Sequence, residues 1–127
     1  GHELSEGELT LQRIAEHPIL TYVFGFTGRS KLHETFLKEG LEMDVSFAAT
    51  DTDVILSYVR LGFGPGIIAN MAYSHIHDNA LTLRALSHLF THSTTHVAWA
   101  KNKYLRAYHT DLVDLMLEYG ESEGWYA

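Results

Sequence analysis

Residues 19–40 read Ile-Leu-Thr-Tyr-Val-Phe-Gly-Phe-Thr-Gly-Arg-Ser-Lys-Leu-His-Glu-Thr-Phe-Leu-Lys-Glu-Gly. A β-rich apolar run over 19–24 meets Gly25 and Gly28, and a segment carrying Leu32, Phe36 and Leu37 then runs to Gly40. Such a succession spells strand, tight turn and helix, and commits this part of the chain to an α/β layout. Thr27 or Ser30 can cap the helix, while Gly25 and Gly28 let successive N–H groups turn toward one spot. Phe26 is framed by the two glycines. The Thr27 hydroxyl, the Gly28 backbone and the Arg29 guanidinium then converge at a helix N-terminus, which suits a small oxyanion or carboxylate. The other reading of this pattern is an ordinary Thr27 cap followed by an exposed first-turn arginine, an arrangement found throughout α/β domains.

The grammar repeats after Gly40. Residues 43–49 alternate as a strand, Thr50 and Asp51 supply caps, and residues 53–61 place Val54, Ile55, Tyr58, Val59 and Leu61 around a mostly buried helix. Asp51 and Asp53 complement the helix dipole. Gly62, Gly64 and Gly66 lead into an apolar strand over 66–69, so the units are parallel βαβ. The glycines follow a helix and precede a strand, the reverse of a dinucleotide cradle, and therefore predict a helix C-cap and tight turn. Upstream, residues 1–7 read as a loose lead-in, and Thr10 starts a short helix that Pro18 stops near His17. Downstream, the pattern predicts a polar stretch at 74–80, strands at 81–86 and 92–100, a helical turn at 87–90, a helix over 105–119 and a frayed tail.

A chain of 127 residues forms one domain or two lobes. Its net charge of −7 argues against nucleic-acid binding by this segment, because Lys101, Lys103 and Arg106 form its nearest basic cluster. Without cysteine there are no disulfides and no thiol chemistry. No apolar run reaches bilayer length. His75, His77 and Asp78 could ligate a metal but read as a solvated loop, and His88, His92 and His96 are spaced too loosely to share a face. Ser93, Thr94, Thr95 and His96 lack a nucleophile elbow. The expectation is no cofactor, no metal and no enzymatic activity.

The strings Thr-Tyr-Val-Phe-Gly-Phe-Thr-Gly-Arg-Ser (21–30), Ala-Thr-Asp-Thr-Asp-Val-Ile (49–55), Tyr-Val-Arg-Leu-Gly-Phe-Gly (58–64), Ile-Ala-Asn-Met-Ala (68–72) and His-Ser-Thr-Thr (92–95) together resemble a known family. Across residues 10–118 the chain resembles the effector-binding region of LysR-type transcriptional regulators, in the CysB-like subgroup that controls sulfur assimilation. The resemblance implies an α/β fold of the type 2 periplasmic-binding-protein kind, mostly one Rossmann-like lobe (lobe two) with the return strand and helix of lobe one. Residues 1–17 would be a lead-in and short helix, 18–90 lobe two, and 91–127 the crossover strand, C-terminal helix and tail. A winged helix-turn-helix, a linker helix and the first half of lobe one would precede residue 1.

The resemblance further implies an inter-lobe cleft for sulfate, an acetylated serine or adenosine phosphosulfate, with Thr27 as an anion contact. Phe26, Gly28, Arg29, Thr50 and Asp51 join it by their position at the C-terminal edge of the sheet. Pro65 and Trp99 depart from the family pattern, and the threonines and glutamine expected on lobe one are absent, so weak binding is expected. Partners would be a small anionic effector, further copies of the chain, and DNA through the preceding winged helix-turn-helix, in the cytoplasm and away from membranes. Exposed Val97, Trp99, Leu112 and Met116 would drive self-association. The alternative is a solute-binding protein of the same fold for a small oxyanion.

Overall fold

Pro18 disfavours helix at His17, so the first helix stops short of it and the chain straightens. Helix α1 (Leu11–Ala15) is capped by Thr10, whose Oγ1 accepts from the Arg13 N–H at 3.2 Å, and strand β1 follows at Ile19–Tyr22. Then come α2 (Arg29–Lys38), β2 (Val45–Ala49), α3 (Thr52–Arg60) and α4 (Ala107–Ser122). The computed structural model describes residues 2–26, 28–75, 78–91, 98–102 and 104–122, without the side chains of 73–75. The chain divides into two compact units, residues 1–93 and 94–127.

In the first unit β1 and β2 pair in parallel, with Leu20 opposite Phe47 and Tyr22 opposite Ala49. Parallel neighbours need a crossover, and α2 supplies it. Every β1 residue is buried, as a strand covered on both faces must be. Its side chains alternate between two cores. On one face Ile19 packs with Ile14 of α1 and with Leu32 and Phe36 of α2; on the other, Leu20 and Tyr22 pack with Ile55 of α3.

Helices α2 and α3 stop by the same device. After α3, the N–H of Phe63 reaches the Tyr58 carbonyl (3.2 Å) and that of Gly62 the Val59 carbonyl (3.0 Å), with Gly62 at φ +83° and the Phe63 ring against Tyr58. This is the paired-bond glycine terminus that only a left-handed residue completes cheaply. Gly40 and Leu41 repeat it on Leu37 and Phe36. The glycine run is thus a helix terminus and turn, as its order predicts.

Several expectations are corrected. Residues 66–69 do not form a strand: a single parallel bridge joins Gly66 to Leu20. Beyond it, side chains replace the ladder, since the Thr21 hydroxyl donates to the Ile67 carbonyl (2.9 Å) and the Ala69 N–H donates to the Tyr22 oxygen (3.1 Å). Residues 81–86 carry no strand; Leu86, Leu89 and Phe90 instead pack against the α1–α2 core. The lead-in is not loose. Residues Glu3–Ser5 form a 3-10 turn, Arg13 donates to the Glu3, Glu6 and Glu8 carbonyls, and Arg84 donates to those of Leu4 and Gly7. Of the strand expected at 92–100, residues 92–97 lie outside the described residues and 98–100 are not strand.

In the second unit α4 begins two residues later than expected and runs three further; Trp99, Leu112 and Met116 are exposed as anticipated, and so is Leu115. Val97 lies outside the described residues. No helix among the described residues is long and apolar enough to cross a membrane.

Arg60, in the last turn of α3, donates to the Asp78 carboxylate, which also receives the Ala80 N–H (2.8 Å). These bonds hold the Asp78 carboxyl below the usual carboxylate range, the Arg60 bond contributing most. A carboxylate harder to protonate folded than unfolded adds stability above its unfolded pKa of about 3.9, and that stability is lost as pH falls through the lowered folded value. The stability difference between wild type and Asp78→Asn, read from urea melts, is expected to be level near neutral pH and to close in acid below about pH 4. A difference independent of pH down to about pH 2 would contradict the pairing.

Candidate functional site

In open α/β sheets ligands gather outside the carboxyl ends of the strands. Here that edge holds a cavity of about 320 Å³ lined by Tyr22, Phe26, Thr50, Thr52, Ala69, Met71 and Ala72. Tyr22 ends β1, Thr50 follows β2, Thr52 opens α3, and Met71 and Ala72 lie in the 3-10 turn Asn70–His75. The amino end of α3, the positive end of its dipole, therefore borders the cavity. Its polar lining includes three hydroxyls, and the Tyr22 and Thr52 oxygens stand 2.6 Å apart.

Of the residues expected at the site, Phe26 and Thr50 line this cavity. Thr27 lies outside the described residues. Gly28 is the N-cap of α2, at φ +75° and without any side-chain cap bond; Ser30 sits inside the helix and does not cap it. The left-handed backbone explains the choice, since a glycine holds it without the Cβ penalty that serine would carry. Arg29 does not line the cavity. It is 7% exposed, its guanidinium carbon lies 4.1 Å from the Phe24 ring centroid, and its Nη1 is buried with no hydrogen-bond partner among the described residues. Burial pushes its pKa down from the ordinary arginine value.

Asp51 is the N-cap of α3 and accepts from the Asp53 N–H at 2.9 Å. It too is absent from the cavity lining. Asp51→Ala is expected to cost about 0.5–2 kcal/mol of stability in denaturant melts, with Asp51→Asn restoring most of it. A stability unchanged by Asp51→Ala would remove the capping role.

Tyr22, Thr52, Ala69, Met71 and Ala72 are the lining residues that sequence reasoning missed. Tyr22 and Thr52 carried a signal: a hydroxyl at the last position of a strand and another at the first turn of a helix both belong to the ligand edge. The apolar company of Tyr22 marked it as core, which it also is. The side chains of His75 and His77 lie outside the described residues, as do Ser93, Thr94, Thr95 and His96, and Asp78 is engaged by Arg60. Among the described residues no three His, Asp or Glu side chains are grouped to hold a metal ion.

The family model of the LysR substrate binding domain matches residues 1–121. The chain belongs to this family. Its relatives include the HTH-type transcriptional regulator SsuR of Burkholderia cenocepacia, 46% identical over 116 residues, covering 91% of this chain and 38% of SsuR. They also include the HTH-type transcriptional regulator CysB of Haemophilus influenzae, 44% identical over 107 residues, covering 84% of this chain and 33% of CysB. The LysR substrate-binding domain described here thus spans little more than a third of the length of these relatives. The crystal structure of the cofactor-binding domain of the Cbl transcriptional regulator superposes with a TM-score of 0.67 at 38% identity, covering 72% of this chain and 40% of that one. The fold is α/β of the type 2 periplasmic-binding-protein kind, and the relatives are transcriptional regulators, not enzymes.

Proposed function

We propose that this LysR substrate-binding domain senses a small anionic sulfur metabolite, sulfate, an acetylated serine or adenosine phosphosulfate, on behalf of a cytoplasmic transcription regulator of sulfur assimilation. The observation that carries this reading is the cavity at the carboxyl ends of β1 and β2, where hydroxyls of Tyr22, Thr50 and Thr52 meet the amino end of α3. Its volume of about 320 Å³ lies at the small end of the range for ligand sites and suits an oxyanion or an amino-acid-sized metabolite. The relationship to SsuR, CysB and Cbl supports the regulatory role.

We assign Phe26, Thr27, Gly28 and Thr50 to ligand contact, and Arg29 and Asp51 to shaping the two helix N-termini beside it. Residues 18–90 form the sensing lobe, a division supported by the break between compact units after residue 93. The ligand shifts the arrangement of subunits on DNA, reached through an N-terminal winged helix-turn-helix, only by the difference in its affinity for the two arrangements. Subunits associate as homo-oligomers.

The test is a titration of the chain with sulfate, O-acetylserine, N-acetylserine and adenosine phosphosulfate, followed through backbone amide resonances. One ligand is expected to move the amides of Phe26, Thr50, Thr52, Ala69 and Ala72, and Thr27→Ala to weaken it by about 1–3 kcal/mol, as loss of a hydrogen bond to a charged group should. Silence of those amides toward all four ligands would refute the reading. Binding that Thr27→Ala leaves untouched would remove Thr27 from the site.

A further inference from the structure

A backbone N–H can only donate, so the Tyr22 oxygen is the acceptor in its 3.1 Å bond from Ala69. The phenol still carries one proton, and Tyr22 as a whole is 8% exposed. Thr52 Oγ1 stands 2.6 Å away, a normal length for one hydroxyl donating to another. Either hydroxyl can donate across this distance; with the Ala69 N–H already on the phenol oxygen, donation from Tyr22 to Thr52 uses the proton the phenol still has to place. The Thr52 oxygen is then engaged as an acceptor, and its own proton remains to be given elsewhere. Thr52 lines the cavity and opens α3.

We propose that Tyr22 is a positioning residue that fixes the Thr52 hydroxyl as a hydrogen-bond donor toward the cavity, so that the site takes a deprotonated oxygen and discriminates against a donor group there. This rests on the reading of the cavity as the effector site and adds the polarity of one of its contacts. The chain of bonds runs one way, from the Ala69 amide through Tyr22 and Thr52 to the ligand, and each donation strengthens the next. The positive end of the α3 dipole favours the same sign of ligand. Two carboxylates flank Thr52 in sequence: Asp51, which accepts from the Asp53 N–H, and Asp53 itself, exposed in the first turn of α3.

Two measurements test this. The first needs no ligand: in NMR spectra of the chain the Tyr22 hydroxyl proton is expected to exchange slowly and to show cross-peaks to the Thr52 side chain. A Thr52 hydroxyl proton donated to Tyr22 instead would overturn the proposal whatever the ligand results. The second is titration with sulfate and, in a separate arm, with N-acetylserine, whose carboxylate offers the same acceptor. Thr52→Val is expected to weaken binding about tenfold, Thr52→Ser to stay near wild type, and Tyr22→Phe to weaken it about three- to tenfold. Tyr22→Phe is expected to add nothing in the Thr52→Val background, because it acts through that hydroxyl. Wild-type binding that survives Thr52→Val unchanged overturns this inference and leaves the cavity standing as the effector site. Failure of both anions to move the cavity amides overturns this inference, and silence toward O-acetylserine and adenosine phosphosulfate as well overturns the proposed site with it.

Discussion

Phe36→Ala is expected to lower the unfolding free energy by about 3–5 kcal/mol. Phe36 is 1% exposed on α2, packs with Ile14, Ile19 and Leu32, and meets the Phe90 ring at 6.3 Å. It therefore joins helix, strand and the distant 86–90 segment in one core, and its removal leaves a hole that three separate pieces of chain would have to collapse to fill. Small domains have about 5–15 kcal/mol in hand, so the loss is a large share of the total. Phe36→Leu, which keeps most of the volume, should lose less. Leu37, the next residue along and 53% exposed, serves as the control, since its alanine variant should fall within about 0.5 kcal/mol of wild type. Chemical denaturation separates these cases, and equal effects at positions 36 and 37 would mean that α2 does not present this face to β1.

The second large effect is expected at Gly64. A Cβ there would stand 2.7 Å from the Pro18 carbonyl oxygen and 3.1 Å from Leu20 Cδ1, at φ +146°. The clash is with backbone just before β1, so relief would displace the strand itself. Strain and overpacking together put Gly64→Ala at about 3 kcal/mol or more. Gly62 differs: its φ is +83° but a Cβ there meets nothing within 4 Å, so Gly62→Ala should cost only the left-handed penalty of about 1–2 kcal/mol. Thermal or urea melts that rank Gly64 well above Gly62 would support the packing read here. Equal costs would show that close approach to Pro18 is not what requires glycine at 64.

What was legible in the sequence is what local pattern controls. Pro18, the paired glycines and the 3.6-residue spacing of Leu32 and Phe36 announce β1 and α2 within a few residues, and the order of elements at Gly62–Gly66 already excludes a phosphate cradle. The carboxyl edge of the sheet followed from topology, and Phe26 and Thr50, expected there, line the cavity at that edge. Contacts distant in sequence were not legible. Arg84 reaches carbonyls 77 and 80 residues away, and no periodicity encodes that. Residues 66–69 have strand composition, yet the hydroxyls of Thr21 and Tyr22 take the groups a ladder would have used. Arg29 was expected to bring its guanidinium to the anion seat, with an exposed first-turn residue as the other reading; burial against the Phe24 ring matches neither, a choice set by side-chain packing across a turn.

The clasp on residues 3–8 grips main-chain carbonyls, never side chains of the segment it holds. Carbonyls are the same in every amino acid, so apart from Glu3, whose carboxylate lies 3.7 Å from His17 Nε2, this stretch can vary in sequence while its path is preserved. The burden of invariance passes to Arg13 and Arg84. Gly7 is the strongest exception within the stretch, because its backbone is left-handed and an added methyl would press on the Arg13 guanidinium at 3.2 Å. Mutational scanning of residues 3–8 should therefore find tolerance interrupted most strongly at Gly7, with sensitivity displaced onto two arginines 71 residues apart.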